Sequence, residues 1–460
     1  MACIHLSCCN TAGAILNQAG FSPPRYADDF RCIGPACEDT CCQGWKVAID
    51  EATYRRYEDL PRSPLRTLIH ENLERAPNTG KTASPFAIIR MTPANQCPML
   101  SEERLCQIQS AYGASFLSHA CATYPRTIHP HHGGRLVALT LSCPEAARLV
   151  LLHPNLLGTF AGSDGATTNR SHPIADESHL TSWLESWSEP IRSTVLMTVV
   201  NRAYPLWQRL FLLGIFTRRL DAIVSGDLPR QPDAFLADFH LTVASSSFRA
   251  AMESMPTNEL AQMDAVLQLA GLMLHRSNVT PRFVNCINAF TTGIGNGPGA
   301  TLASLAARVG VAHERYFAPF LSRNPQILEN YLINTMLRMN FPFGSDRDPE
   351  FAPQPMSRRF SVLAAQFALI RGLLIGVAGH FREQFSAEHI VHTVQAASKH
   401  FEHHPEFEKE VLALLAELKL DEARGLALLL REPKPAASPR SAIQPPTNPQ
   451  PHPGATHAAL

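Results

Sequence analysis

An excess of charge of either sign is missing from this chain. Its 460 residues carry 40 basic and 40 acidic side chains, so no global field draws in nucleic acid or an anionic membrane. No run of Lys or Arg interleaved with aromatics supplies a local substitute, and a nucleic-acid partner is not expected. Long apolar runs are missing too. The most apolar stretch, Val362 to Val377, is broken by Gln366 and Arg371, and LFLLGIF is too short to span a bilayer. Both read as buried helices, so no membrane partner is expected. The opening MACIHLSCCNTAGAIL lacks a basic n-region, a sustained apolar core and a clear small-residue cleavage site. A cytoplasmic protein is expected. No fixed-period repeat points to a solenoid.

Hydrophobic residues make up 45% of the chain and charged ones 17%, a globular composition with room for two or three domains. Three regimes follow one another. Residues 1–22 read as a poorly structured extension. Residues 23–148 are rich in cysteine and broken by Pro and Gly. They hold short extended candidates, WKVAID, FAIIRM and RLVALTLS, and a helix, DEATYRRYEDLP, with Asp50 as N-cap. From Pro144 the pattern turns helical, and residues 149–432 form the next domain. Leu206, Leu210, Leu213, Leu220 and Val224 are expected to share one face, as are Leu260, Met263, Leu267, Ala270 and Leu274. Further helices are expected over 302–321, 326–339, 357–381, 387–401 and 406–430. Residues 433–460 are Pro-, Ala- and Ser-rich with little to bury, and disorder is expected there. The fold class is therefore mainly α: a small cysteine-rich α+β metal-binding module followed by an irregular α-helical domain.

Of 12 cysteines, eight lie between Cys32 and Cys143. CIGPACEDTCC supplies Cys32, Cys37, Cys41 and Cys42, and CPMLSEERLC supplies Cys97 and Cys106. Cys121 follows in HACATYPR and Cys143 in LSCPEAAR. Soft thiolates suit zinc or iron–sulfur clusters, and ligation displaces the thiol proton. Eight suffice for two four-sulfur sites, or for one cluster with spare thiols. The paired two-residue spacers of zinc ribbons are absent, and iron–sulfur sites tolerate more varied spacing. Cys-x3-Cys-x2-Cys is not met, because Gly44 stands in the third place. Disulfides and buried small hydrophobes are the competing readings. Nearby, Trp45 is either a shield for a cluster or a core residue. Arg126 either balances thiolate charge or sits in a surface salt bridge. His129, His131 and His132 read as loop histidines rather than added ligands.

The series PRYADDFRCIGPACEDTCCQGW, CPML…LCQIQ, CATYPR and LSCPEAAR resembles the FliB-type flagellin lysine-N-methylases. Its cysteine portion also looks like the CxxxCC domains that chelate zinc or iron. ENYLINTMLRMNFPF, from Glu329 to Phe343, is similar to a second segment of the same methylases. The resemblance covers about residues 23–430. It implies a bacterial enzyme that methylates lysine ε-amino groups of flagellin with S-adenosylmethionine, associated with a 4Fe–4S cluster, zinc being the alternative metal. No glycine-rich strand–turn–helix of a Rossmann-type methyltransferase supports this independently, since GIGNGPG at Gly293 follows no clear strand and reads as a loop. Glu329, Tyr331 and Asn334 are polar residues in an otherwise apolar helical segment. They are the candidate catalytic contacts to donor or lysine. The plainer expectation has Glu329 facing water while Tyr331 and Asn334 pack with satisfied hydrogen bonds. A non-catalytic zinc- or iron-binding scaffold is the alternative function, and a redox or iron-sensing protein a third.

Overall fold

The computed structural model describes residues 23–433 except 46, 77–84, 132–133, 160–181, 276–278, 345–353 and 405. The N-terminal extension and all but the first residue of the Pro-rich tail lie outside the described residues.

Two hydrophobic cores form. The smaller gathers Val47, Ile49, Tyr57, Ile69, Ala87, Ile89, Met99 and Ile108. Its scaffold is a three-stranded antiparallel sheet in the order β1–β3–β2, with β1 at Ala48–Ile49, β2 at Leu73–Arg75 and β3 at Ala87–Ile89. Ala48 pairs with Ile88 and Glu74 with the same residue from the other side, so β3 is central. Two helices, Glu51–Glu58 and Pro64–Glu71, cover it. Asp50 caps the first as expected, accepting from Thr53 N at 2.8 Å. Strand β2 had no clear sequence signal, because LER alternates poorly, and the second helix was not anticipated although Ser63 caps it.

The larger core belongs to the helical body, but it begins within the cysteine-rich stretch. Tyr26, Ala27 and Phe30 join it, as do Leu136, Ala138, Leu139 and Leu141. The last four come from or just follow β5, Gly134–Leu139, which pairs with β4, Arg126–His131, from Arg126↔Leu139 to His131↔Gly134. The hairpin therefore packs with the helices that follow.

At the centre of the body lies the helix Met356–Phe381, buried along most of its length. The segment Met356–Gln384 is long and apolar enough to cross a bilayer, yet its apolar window is wholly buried in the protein, as a core helix would be. It crosses helix Pro281–Ile294 at backbone contact. A Cβ on Gly293 would run into the Gly376 carbonyl oxygen, and one on Gly376 into the Phe290 ring. Its buried Arg371 is not stranded, donating to the carbonyls of Leu429 at 3.0 Å and Arg431 at 2.9 Å. These are orphan acceptors at the end of helix Ala423–Leu430, where the helix dipole favours a cation.

Several expected helices differ in detail. The 302–321 pattern becomes Leu302–Ala312, a π turn His313–Phe317 and Ala318–Arg323. The 406–430 pattern splits into Phe407–Glu417 and Ala423–Leu430, with Lys419 at φ +58° between them. In helix Glu259–Leu274 the buried face runs through Met263, Val266, Ala270 and Met273, while Leu260 and Leu274 are exposed. Val224 is exposed as well. These helices are apolar on more than one side, so periodicity alone does not choose the face. GIGNGPG is a loop from Gly295, its first two residues closing the preceding helix.

Candidate functional site

The cysteines are placed by short, turn-rich segments. The backbone N–H of Cys97 donates to Cys42 O at 2.7 Å, and Gln43 pairs with Gln96 in an isolated bridge. A second bridge, Leu100 to Cys106, closes the turn between the next two cysteines. Cys121 lies on the short helix His119–Thr123, whose N-cap Ser118 accepts its N–H at 3.3 Å. Cys42, Cys97, Cys106 and Cys121 all pack in or against the small core. Cys143 belongs to the large core and is the N-cap residue of helix Pro144–Leu152. Cys32 and Cys37 flank the 3-10 turn Gly34–Ala36.

The nine cysteines among the described residues are free thiols. As the side chains stand, no three His, Cys, Asp or Glu residues among the described ones are arranged to hold a metal ion. The thiols are neighbours nonetheless. Like charge from Cys42, Cys121 and Cys106 adds to the burial that pushes Cys97 up to about 12. Burial raises Cys121 to about 11 with the same neighbours, and Cys143 to about 12, where Cys37 and Cys32 contribute. Cys41 and Cys42 share a hydrogen bond that holds Cys42 below the ordinary thiol range and Cys41 above it. The donor set is chemically suited to a soft metal: clustered free thiols, Cys97 and Cys143 buried and most others half-buried, whose protons a metal would replace. It divides into a four-thiol neighbourhood in the small core and a second one of Cys32, Cys37 and Cys143.

Between the two cores the cysteine turn meets helix Ala387–Phe401. Lys399 Nζ donates to Asp39 Oδ1 at 2.7 Å and to Thr40 O at 3.3 Å. Gln395 Nε2 donates to Asp39 Oδ2 at 2.7 Å and to Ser142 O at 2.8 Å. Glu38 pairs with Arg148 at 2.7 Å. Just past that helix, His403 stacks on Trp45 with ring centroids 5.4 Å apart, and Trp45 on Tyr124 at 5.9 Å. Trp45 Nε1 donates to Cys41 O, so this ring is tied to the cysteine turn itself. His403 Nε2 lies 2.8 Å from Ser142 Oγ, which lies 3.1 Å from Tyr124 Oη. Glu402 accepts from Ser142 N at 3.2 Å and pairs with Arg338 Nε at 3.1 Å. Burial, then the charges of Arg338 and Lys399, lower His403 to about 4. Its imidazole is neutral at physiological pH.

The helix Gln326–Arg338 carries the three residues expected to touch donor or lysine. Glu329 does not face water. It is buried, accepting from Arg209 Nη1 at 2.8 Å and from Arg202 Nη2 at 2.9 Å. Asn334 is spent on the hairpin: Oδ1 accepts from Tyr26 Oη at 2.6 Å and Leu139 N at 3.1 Å, while Nδ2 donates to Leu139 O at 2.8 Å. Tyr331 is fully buried, and its hydroxyl makes no hydrogen bond within 3.5 Å. Glu402, Arg338 and Thr335 are its polar neighbours, which puts its hydroxyl on the body side of the seam.

Two neighbouring expectations need correction. His129 is a buried strand residue bound to Arg338 O at 2.7 Å, on the strand that pairs with β5 at the edge of the large core. The side chains of His131 and His132 lie outside the described residues. Arg126 neither faces a thiolate nor makes a surface salt bridge; it reaches Phe30 O at 3.3 Å and covers the Phe30 ring. The sequence reading missed Asp39, Ser142, Tyr124, Lys399, Glu402 and His403. A signal existed: Gln395, Lys399 and Glu402 return at i, i+4 and i+7, a stripe that reads as a solvated face until a partner covers it. An internal cavity lined by Gln262, Met263, Val266, Phe290, Ala368 and Arg371 shares no residue with this seam. Its one cation is already used on helix carbonyls.

The profile of the FliB lysine N-methylase C-terminal domain matches residues 192–429, the body that supplies Lys399, Glu402 and His403. The chain belongs to the FliB lysine N-methylase family. It is thus an enzyme of lysine N-methylation. The chain is 23% identical over 423 residues to the lysine-N-methylase of Salmonella choleraesuis (strain SC-B67), covering 86% of this chain and 94% of that protein. The same figures hold for the lysine-N-methylase of Salmonella typhimurium (strain LT2). It is 34% identical over 143 residues to the flagellar biosynthetic protein FliU of Salmonella muenchen, covering 31% of this chain and 83% of that protein. No solved structure matches. The two full-length methylase matches span more of the chain than the helical body alone, so FliB-type relatives share part of the cysteine-rich stretch as well.

Proposed function

We propose that this FliB-family protein methylates lysine ε-amino groups of flagellin with S-adenosylmethionine, at the seam between cysteine turn and helical body. The observation that carries the reading is the family match over residues 192–429, the segment that places Lys399 and His403 against the cysteine turn and Glu402 against Ser142. In the reaction the lysine ammonium first gives up a proton to water, leaving a neutral amine. The amine nitrogen then bonds to the methyl carbon as the carbon–sulfur bond breaks, and the electron pair goes to sulfur. Both reactants arrive with positive charge. The seam offers them aromatic rings, Trp45 and Tyr124, and a neutral imidazole, surfaces that accept cations. Ser142 and Tyr124, hydrogen-bonded in series to His403, orient that ring edge.

In this reading Cys42, Cys97, Cys106 and Cys121 hold a metal, and Cys32, Cys37, Cys41 and Cys143 are the remaining donors. A 4Fe–4S cluster is the metal group proposed, zinc the alternative. When bound, it replaces thiol protons and ties together separate turns of a core too small to be rigid alone. Tyr331 keeps a place beside the seam. Glu329 and Asn334 act by holding the helix that carries it. Incubating the metal-loaded protein with methyl-labelled S-adenosylmethionine and flagellin under reducing conditions tests the reading. Label recovered as Nε-methyl-lysine is the expected result; loaded protein that transfers none contradicts it.

A further inference from the structure

We propose that Lys399 is a positioning residue for the cysteine turn, so that metal retention by the thiols depends on a lysine of the helical body. The inference rests on the reading of the cysteines as metal ligands and assigns a role that no cysteine can reveal.

The turn from Cys37 to Trp45 carries three thiols; its far end is tied to the small core through Cys42, Gln43 and Gly44, while Asp39 and Thr40 face the helical body. Apart from the Glu38–Arg148 pair, its hydrogen bonds to the body come from helix Ala387–Phe401. Both oxygens of Asp39 are taken, one by Lys399 and one by Gln395. Lys399 reaches past Asp39 to the carbonyl of Thr40, the residue directly before Cys41. Gln395 is itself aimed by Arg282, whose Nε donates to its Oε1 at 2.6 Å, and its amide also holds Ser142 O, directly before Cys143. Gly44 wraps the lysine stem. Its backbone has φ +91°, and a Cβ there would lie 3.3 Å from Lys399 Cε.

Burial makes this an interaction with consequences. The Lys399 and Asp39 side chains keep only 6% and 11% of their exposure. A buried ion pair adds little net stability, but losing one partner leaves the other charge uncompensated. Loss of Lys399 therefore strands the Asp39 charge and loosens the docking of the Asp39–Thr40 end of the turn. Lys399 also places a full positive charge beside a group that becomes more negative whenever thiolates replace thiols. Partners of this kind, one step removed from the metal, typically change affinity by about 10–100-fold. Linkage requires the converse: metal that binds the docked turn more tightly also tightens the docking.

The test uses the full chain, stripped of metal and titrated anaerobically with cobalt(II) and zinc(II) against a competing chelator. Thiolate-to-cobalt absorption reports ligation by sulfur. Lys399→Met is expected to weaken binding by about 10–100-fold while Lys399→Arg, which keeps charge and donors, restores most of it. Amide exchange in helix Ala387–Phe401 is expected to slow on metal loading in the native chain, and not in Lys399→Met. Melting of the metal-free proteins controls for folding. Should Lys399→Met not fold, Lys399→Gln, which keeps the stem and a donor, is read the same way. Native affinity in a folded Met or Gln variant overturns the inference. A native chain that binds neither metal overturns the metal reading and this inference with it.

Discussion

Glu329 sits between two guanidinium groups, and only one of them matters for stability. The Arg209 and Glu329 side chains are each 9% exposed, whereas Arg202 is 54% exposed. Arg209 also donates to Tyr204 O and Val199 O, joining helix Gln326–Arg338 to the end of helix Ser182–Val200. Replacing Glu329 by Gln leaves a buried guanidinium without its counter-charge, a change that typically costs about 3–5 kcal/mol. Denaturant unfolding of Glu329→Gln and Arg202→Gln is expected to show a loss of that order for the first and under about 1 kcal/mol for the second. Polar residues in an apolar helical segment mark something worth explaining, and sequence alone does not say whether it is chemistry or anchoring. Glu329 and Asn334 anchor, and their partners lie 120 and 308 residues away.

His313 gives a residue-scale test in pH. Burial, then the charge of Arg371, lowers it from 6.5 to about 4. Between those values the unfolded chain binds a proton that the folded chain refuses. Stability therefore falls as pH drops from about 6.5 towards 4, by on the order of 2 kcal/mol after allowing for screening. Replacing His313 with Gln is expected to flatten that part of a stability-versus-pH curve; an unchanged slope contradicts the assignment.

At the scale of elements, the helices were legible where polar punctuation framed an apolar stripe. Asp50, Asn258 and Thr301 cap such helices with their side chains, while Ser63 and Thr280 cap two helices, Pro64–Glu71 and Pro281–Ile294, that the sequence reading passed over. Legibility failed where helices are apolar all round, because the period no longer distinguishes the buried face. It failed too for β4, whose histidines and proline read as a loop until β5 pairs with it. The crossing of the central helix over Pro281–Ile294 depends on Gly293 and Gly376. An added methyl has nowhere to go there, since a backbone carbonyl rather than a flexible side chain blocks it. Gly293→Ala is expected to destabilise by about 1–3 kcal/mol or more, read from denaturant midpoints. A neutral or stabilising outcome would mean that the helices are not in backbone contact.

At the scale of the molecule, the thiols were the readable half of the proposed site. Eight cysteines in one stretch announce themselves by residue type. Their counterparts do not: Lys399, Glu402 and His403 are ordinary helix-end residues, and only the three-dimensional seam sets Lys399 against Asp39, 360 residues earlier, His403 against Trp45, and Glu402 against Ser142. The domain boundary was blurred for the same reason, because the hairpin and Cys143 sit among cysteines in sequence but in the large core in space. One consequence is that the cysteine turn and the helical body are in direct contact, with Trp45 stacked between Tyr124 and His403. The decisive measurement is mass spectrometry of flagellin after exposure to S-adenosylmethionine and either the metal-loaded native chain or a Trp45→Ala chain shown to be folded and equally loaded. The account predicts methyl-lysine from the native chain and its loss from the variant. Unmodified lysine from the loaded native chain, or undiminished methylation by Trp45→Ala, contradicts it.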